Sequence, residues 1–228
     1  MIVFFDVDDT LVNHSSAERS AALLFYGQYA GDRAMAGLDG DTFCTRWHDA
    51  AERHFATFNA GDCSYQEQRR RRIREFFGAD VTDQAADDLF GVYLASYEAH
   101  WALFPDVLPC LDALAGHKLG IVSNNSLTAT QRKLRRVGIA ERFGVVIAPE
   151  TAGVSKPDHR IFEAACQQVS APANQCVYVG DRLETDARAA SAAGMIGVWI
   201  DRRGESASPR DGIVTIRDLR ELARRLKG

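Results

Sequence analysis

The sequence predicts an α/β protein: a doubly wound parallel sheet interrupted by one all-helical insertion. Three observations predict it. From about Phe104 onward, short β-branched runs alternate with amphipathic helices, which is the texture of right-handed βαβ units. From about His14 to Ala102 the pattern is helical throughout, with no convincing strand. The run IVFFD at residues 2 to 6 stands alone ahead of that helical block, so it belongs with the later strands. The expected organisation is a core of residues 1–13 plus 103–228 and an inserted helical unit of residues 14–102.

The insertion holds four helical segments, SSAERSAALLFYGQY, DTFCTRWHDAAERHFATF, YQEQRRRRIREFF and DQAADDLFGVYLASYEAHW, separated by Gly- and Asp-containing turns. Phe43, Trp47, Phe55, Phe58 and Trp101 are expected to form its own core. In the second half the strands are KLGIVS (118 to 123), VVIAPE (145 to 150), CVYVGD (176 to 181) and MIGVWID (195 to 201). Each is followed by a helix, the last lying near Arg217 to Leu226. Ser126 or Asn125 can cap the helix that ends RKLRRVG, and Gly138 and Gly194 suit left-handed helix exits. Pro157 suits the first position of the helix PDHRIFEA.

With 228 residues the chain can bury a sizeable core without disulfides or metal. A formal charge of −4 gives no global reason to expect nucleic acid or an anionic membrane as partner. The five cysteines are widely spaced without a CxxC pair, and the N-terminus lacks a signal-peptide pattern. No apolar run approaches the ~20 residues that cross a bilayer. A cytoplasmic protein is expected.

Ligands of open parallel sheets bind beyond the carboxyl ends of the strands. Reactive residues collect at those ends here. Asp6 and Asp8 follow the first strand, Ser123 and Asn124 follow KLGIV, Lys156 lies in the loop TAGVSKP, and Asp181 follows CVYVG with Asp186 five residues on. Asp6 and Asp8, two apart after an extended segment, project to the same side, so their charges favour a bound cation or a shared proton. With Asp181 they make a hard oxygen set suited to Mg2+ and unsuited to zinc. Asp9 points the other way and reads as structural.

DVDDT at 6 to 10, SN at 123 and 124, KP at 156 and 157, and GDRLETD at 180 to 186 resemble the four ordered motifs of the haloacid dehalogenase superfamily. Its members are mostly magnesium-dependent phosphatases with a Rossmann-like core. The resemblance implies that Asp6 attacks phosphorus to form an aspartyl-phosphate while Asp8 acts as general acid and base. It further implies a metal held by Asp6, the Asp8 backbone carbonyl and Asp181, with phosphate oxygens on Ser123, Asn124 and Lys156 and with Asp186 behind the metal or Lys156. The helical insertion resembles a cap that closes over the core, excludes water and selects the leaving group. The implied substrate is a small phosphorylated metabolite, with sugar phosphates, nucleoside monophosphates and phosphoglycolate all open.

Simpler readings stand beside these. Ser123, Asn124 and Asn125 can serve only as turn and capping residues, and Glu184 and Asp186 only as acids in a first helical turn. The basic run Arg69 to Arg74 reads as a solvated helix face paired with acids, ahead of a nucleic-acid surface or a contact to a substrate's distal anion. His14 and Asn13, where the chain enters the insertion, are candidates for substrate contact. A binding protein that keeps the fold without catalysis is one alternative. A 2-haloacid dehalogenase is another, disfavoured by Asp8, because a departing halide needs no proton.

Overall fold

The computed structural model describes residues 1–204 and 212–227. The chain forms two compact units, one of Met1–Asn13 with Ala102–Gly228 and one of His14–Trp101.

In the first unit six parallel strands form one sheet. They are β1 (Ile2–Phe5), β2 (Lys118–Val122), β3 (Val145–Ile147), β4 (Cys176–Gly180), β5 (Ile196–Ile200) and β6 (Val214–Ile216), in the order β3-β2-β1-β4-β5-β6. β1 and β4 are buried along their whole length, which explains their continuous apolar sequence in place of an alternating one. Ile2, Phe4, Cys176 and Tyr178 share one cluster with Ile161, Phe162 and Ala165. The intervening Val3, Phe5, Val177 and Val179 are buried too, and by strand alternation they face the opposite side of the sheet. Strand order reverses at β1, whose neighbours β2 and β4 lie on either flank, so the mouth of the sheet is at the end of β1.

Two hydrogen bonds tie the chain where it leaves and re-enters this unit. Asn13 N–H donates to Ala102 C=O at 2.9 Å, and Phe104 N–H donates to Leu11 C=O at 3.1 Å. The entering and leaving segments therefore run side by side, which is what a long insertion between two neighbouring points of a core requires.

The second unit is built from α1 (His14–Tyr29), α2 (Gly40–Asn59), α3 (Tyr65–Phe77) and α4 (Asp83–Ala99). Asp39, Ser64 and Thr82 cap the last three, each accepting a backbone N–H three residues on. Phe25, Phe43, Trp47, Phe76 and Tyr93 fill the centre. Phe55 and Phe58, expected there, instead pack against Tyr65, and Trp101 packs on Tyr97. Arg70 pairs with Asp83 and Asp87 at 2.6 Å, Arg71 with Glu67 at 3.2 Å, Arg72 with Glu18 at 3.0 Å, and Arg74 with Asp83.

The first unit's helices are α5 (Val107–Ala113), α6 (Leu127–Arg136), α7 (Pro149–Ala152), α8 (His159–Gln168), α9 (Ala189–Ala192) and α10 (Leu219–Lys227). Ser126 caps α6 by accepting Ala129 N–H at 3.3 Å, and Gly138 and Gly194 take φ of 78° and 83° at the helix exits. Three details differ from the sequence reading. VVIAPE is a strand only to Ile147, because Pro149 cannot donate to a ladder and begins the short α7. Pro157 is not the first residue of α8: Asp158 is the cap, accepting Arg160 N–H at 3.0 Å, and Pro157 precedes it through a cis Lys156–Pro157 bond. β6 was not expected at all, since three residues are too few for a period to register.

Candidate active site

β1 delivers Asp6 to the mouth, where its N–H continues the ladder by donating to Val179 C=O at 2.8 Å. The chain then turns sharply. Leu11 and Val12 N–H both donate to Val7 C=O at 2.9 Å, and Asp9 takes the left-handed conformation at φ 54°, which Asp tolerates better than most residues. Asp9 thus serves the turn, while Asp8 reaches the Lys133 ammonium on α6.

Lys156 is the hub. Its Nζ donates to Asp6 Oδ1 at 2.7 Å, to Asp186 Oδ1 at 2.7 Å and to Tyr178 Oη at 2.8 Å. Lys156, Asp6 and Asp186 are all buried. Burial alone would lower the Lys156 pKa, but Asp186 and Asp6 beside it more than offset this and raise it, so the ammonium stays charged.

Asn124 places that lysine from the next loop. Its side-chain NH2 donates to Lys156 C=O at 2.9 Å and its Oδ1 accepts Lys156 N–H at 2.7 Å. The Asn124 side chain is therefore committed to the lysine backbone, and the group it can offer a phosphate is its main-chain amide. Ser123 Oγ accepts Asn125 N–H at 3.1 Å, closing the turn after β2.

Asp186 is held by both oxygens, Oδ1 by Lys156 and the Tyr178 hydroxyl at 3.1 Å, Oδ2 by Arg182 N–H at 3.0 Å. It lies in a π-helical turn, Leu183–Arg188, packed so closely that a Cβ on Gly180 would come 2.4 Å from its carboxyl carbon. Only glycine fits there.

Asp6, Asp181 and Asp186 bring carboxylate oxygens within 4.8 Å of one another. Burial first, then Lys156's partial relief and the charges of Asp186 and Asp8, leave the Asp6 pKa raised. Asp181 is likewise raised by burial and then by Asp6 and Asp186. One ammonium does not balance three clustered carboxylates, and an all-oxygen set short of positive charge fits a hard divalent cation.

A family model described as haloacid dehalogenase-like hydrolase matches residues 1–194. The chain is a haloacid dehalogenase-like hydrolase. Among its relatives is a glyceraldehyde 3-phosphate phosphatase of Methanopyrus kandleri, 33% identical over 207 residues that make up 89% of this chain and 84% of the relative. The crystal structure of the putative HAD-hydrolase YfnB from Bacillus subtilis, bound to magnesium, superposes with a TM-score of 0.80 at 22% identity, covering 100% of this chain and 98% of that one. A 2-haloacid dehalogenase from Pseudomonas syringae pv. Tomato gives a TM-score of 0.74 at 26% identity over 99% and 97%. The fold thus hosts more than one chemistry, and activity has to be argued from the site.

Against this hydrolase's geometry the expected residues sort as follows. Asp6, Lys156 and Asp186 meet directly, Asn124 grips the Lys156 backbone, and Asp181 joins the carboxylate group. Asp8 forms an ion pair that sequence reasoning did not foresee. Three residues were missed. Tyr178 looks like one more apolar strand residue, Lys133 like a helix-end cation, and Thr10, which donates to Asp181 Oδ1 at 3.4 Å, like a turn residue. For Tyr178 and Lys133 the one signal was a polar group at an inward position of a regular element, whose partners the sequence does not name; Thr10, in a turn, offered none.

Proposed function

We propose that this hydrolase is an Mg2+-dependent phosphatase that cleaves the monoester of a small phosphorylated metabolite through an aspartyl-phosphate. The observation that carries the reading is Asp8, an acid two residues beyond the nucleophile candidate Asp6 and close enough to weigh on its charge. A halide departs without a proton, whereas an alkoxide needs one, so an acid here favours phosphoryl transfer over carbon–halogen cleavage.

In this reading an Asp6 carboxylate oxygen attacks phosphorus as the ester P–O bond breaks, and the Asp8 carboxyl gives its proton to the departing oxygen. Asp8, now ionised, takes a proton from water as that water attacks the phospho-Asp6, releasing phosphate and restoring both carboxyls. Lys156, the Ser123 hydroxyl and the main-chain amide of Asn124 would face the equatorial oxygens, where transition-state charge gathers. Asp6, the Asp8 carbonyl and Asp181 would hold Mg2+, which when bound offsets the charge of carboxylates and phosphate. Asp186 would keep Lys156 in place.

The helical unit, residues 14–102, is read as a cap that selects the leaving group, and residues 1–13 with 103–228 as the catalytic core. The M. kandleri relative is named for glyceraldehyde 3-phosphate, which supports reading the substrate as a sugar phosphate. The cysteines are all unpaired, in keeping with a cytoplasmic enzyme. No helix among the described residues is long and apolar enough to cross a membrane.

The deciding experiment is phosphate release from an aryl phosphate with Mg2+, with EDTA, and with Asp6→Asn. Activity that needs the metal and vanishes in the variant is expected. Chloride release from 2-haloacids, or full activity after the Asp6 change, would overturn the reading.

A further inference from the structure

Lys133 lies where α6 should be apolar. The helix buries Thr130, Lys133 and Leu134, whereas Arg135 and Arg136 in the same last turn are exposed. The favourable end of the helix dipole accounts for the exposed pair. It does not account for a lysine whose side chain is 2% exposed and whose ammonium meets Asp8 Oδ1. A buried ammonium persists only where a carboxylate answers it, since desolvation of a lone charge is prohibitive. Asp8 itself keeps 29% of its side chain exposed. One partner is rooted in the interior and the other reaches solvent.

We propose that Lys133 is a positioning residue for Asp8: its ammonium engages Oδ1 and fixes the plane of the carboxyl, so that a proton carried on Oδ2 is already aimed at the ester oxygen leaving the phosphorus. The inference rests on the phosphatase reading above. Its physical basis is orientation: a short side chain on a tight turn has several rotamers open to it, and an anchored partner removes all but one before substrate arrives.

Leaving groups separate this role from a merely structural one. An ester whose leaving group departs as a stable anion, such as p-nitrophenyl phosphate, needs little acid help, whereas an alkyl phosphate needs it fully. The kcat/KM value covers the steps through first P–O cleavage, so later hydrolysis of the phospho-enzyme drops out. For Lys133→Met, which keeps the stem and removes the charge, kcat/KM for alkyl phosphates should fall on the order of 10- to 100-fold, within the range that general acid catalysis supplies. The loss for p-nitrophenyl phosphate should be only a few-fold, about what a modest disturbance of binding gives.

The same comparison is made in an Asp8→Asn background. There Lys133→Met should leave the dependence on leaving-group basicity unchanged, and this arm also serves if the single variant fails to fold, because both charges are then removed together. Equal losses across the ester series, or a further steepening in the Asp8→Asn background, would overturn the proposal. Absence of phosphate release by the unaltered enzyme from every ester would instead remove the phosphatase reading, and this inference with it.

Discussion

Lys156 Nζ stands 2.7 Å from Asp186 Oδ1, inside the protein, and the same ammonium reaches Asp6 at 2.7 Å. A single buried cation thus separates two buried carboxylates that would otherwise repel. Replacing it by methionine leaves both uncompensated. Lys156→Met should cost about 3–5 kcal/mol of stability at neutral pH, the usual penalty for breaking a buried ion pair from one side. Denaturant unfolding should show that the penalty shrinks as pH falls and the carboxylates take up protons.

Tyr178 predicts a milder effect. Its hydroxyl accepts from Lys156 at 2.8 Å, and the same oxygen lies 3.0 Å from Val122 C=O and 3.1 Å from Asp186 Oδ1 as possible receivers of its proton. Tyr178→Phe keeps the ring against Phe162 and removes only the hydroxyl. A loss of about 1–2 kcal/mol in unfolding free energy is expected, the order of one or two buried hydrogen bonds. An unchanged midpoint would show that Lys156 is held without it.

Asn124 gives a test of Lys156 placement that leaves the ammonium intact. Asn124→Ala removes both hydrogen bonds to the Lys156 backbone, at 2.9 and 2.7 Å. Turnover should drop about 10- to 100-fold, as a displaced charge near a reacting phosphate does, while stability changes by about 1–3 kcal/mol. Steady-state kinetics beside thermal unfolding separates the two.

The carboxylate cluster predicts a pH-dependent response to metal. Asp6 and Asp181 have folded pKa values raised above the ordinary 3.8, by burial first and then by neighbouring acids. A raised folded value means that the native state binds more protons, so the stability these groups contribute is present at low pH and is lost as pH climbs past 3.8 towards and through neutrality. The Lys156 contribution has the same sign in a higher range, being fully present below its ordinary 10.5 and lost only above it, so it does not change between acid and neutral pH. Without metal, the melting temperature should therefore decline from mildly acid to neutral pH. Added Mg2+ should restore it, with a shift that grows with pH and disappears in Asp181→Asn. Calorimetric scans from pH 5 to pH 8 check both signs.

Most of the core and the principal groups of its mouth were legible because parallel strands end at a common edge, so a charged residue directly after an apolar run announces where it will be. Asp6 and Asp181 follow that rule, the uncharged Ser123 likewise stands directly after β2, and Lys156 lies farther on, in the loop beyond α7. Tyr178 and Lys133 do not follow it, since each sits at an inward position of a regular element and only three-dimensional neighbours disclose that its polar end has work to do. β6 follows residues 205–211, outside the described stretch, and its three residues carry no period. Pro157 was misread because proline is equally at home one step before a helix cap, and Asp158, the true cap, is unremarkable in a sequence rich in aspartate.

The order of the strands also dictates a sequence of events. β1 lies at the centre of the sheet, with Ile2 paired to Lys118 on one side and Cys176 on the other. Contacts so distant along the chain are slow to form, whereas the four helices between Asn13 and Ala102 pack on one another, α1 on α4 included, within one contiguous stretch. During synthesis the helical block can settle while β1 still waits, unpaired, for partners not yet made. The strand that bears the proposed nucleophile lacks its second neighbour until β4 is made, so its enclosure and the gathering of Asp6 with Asp181 at the mouth become one event.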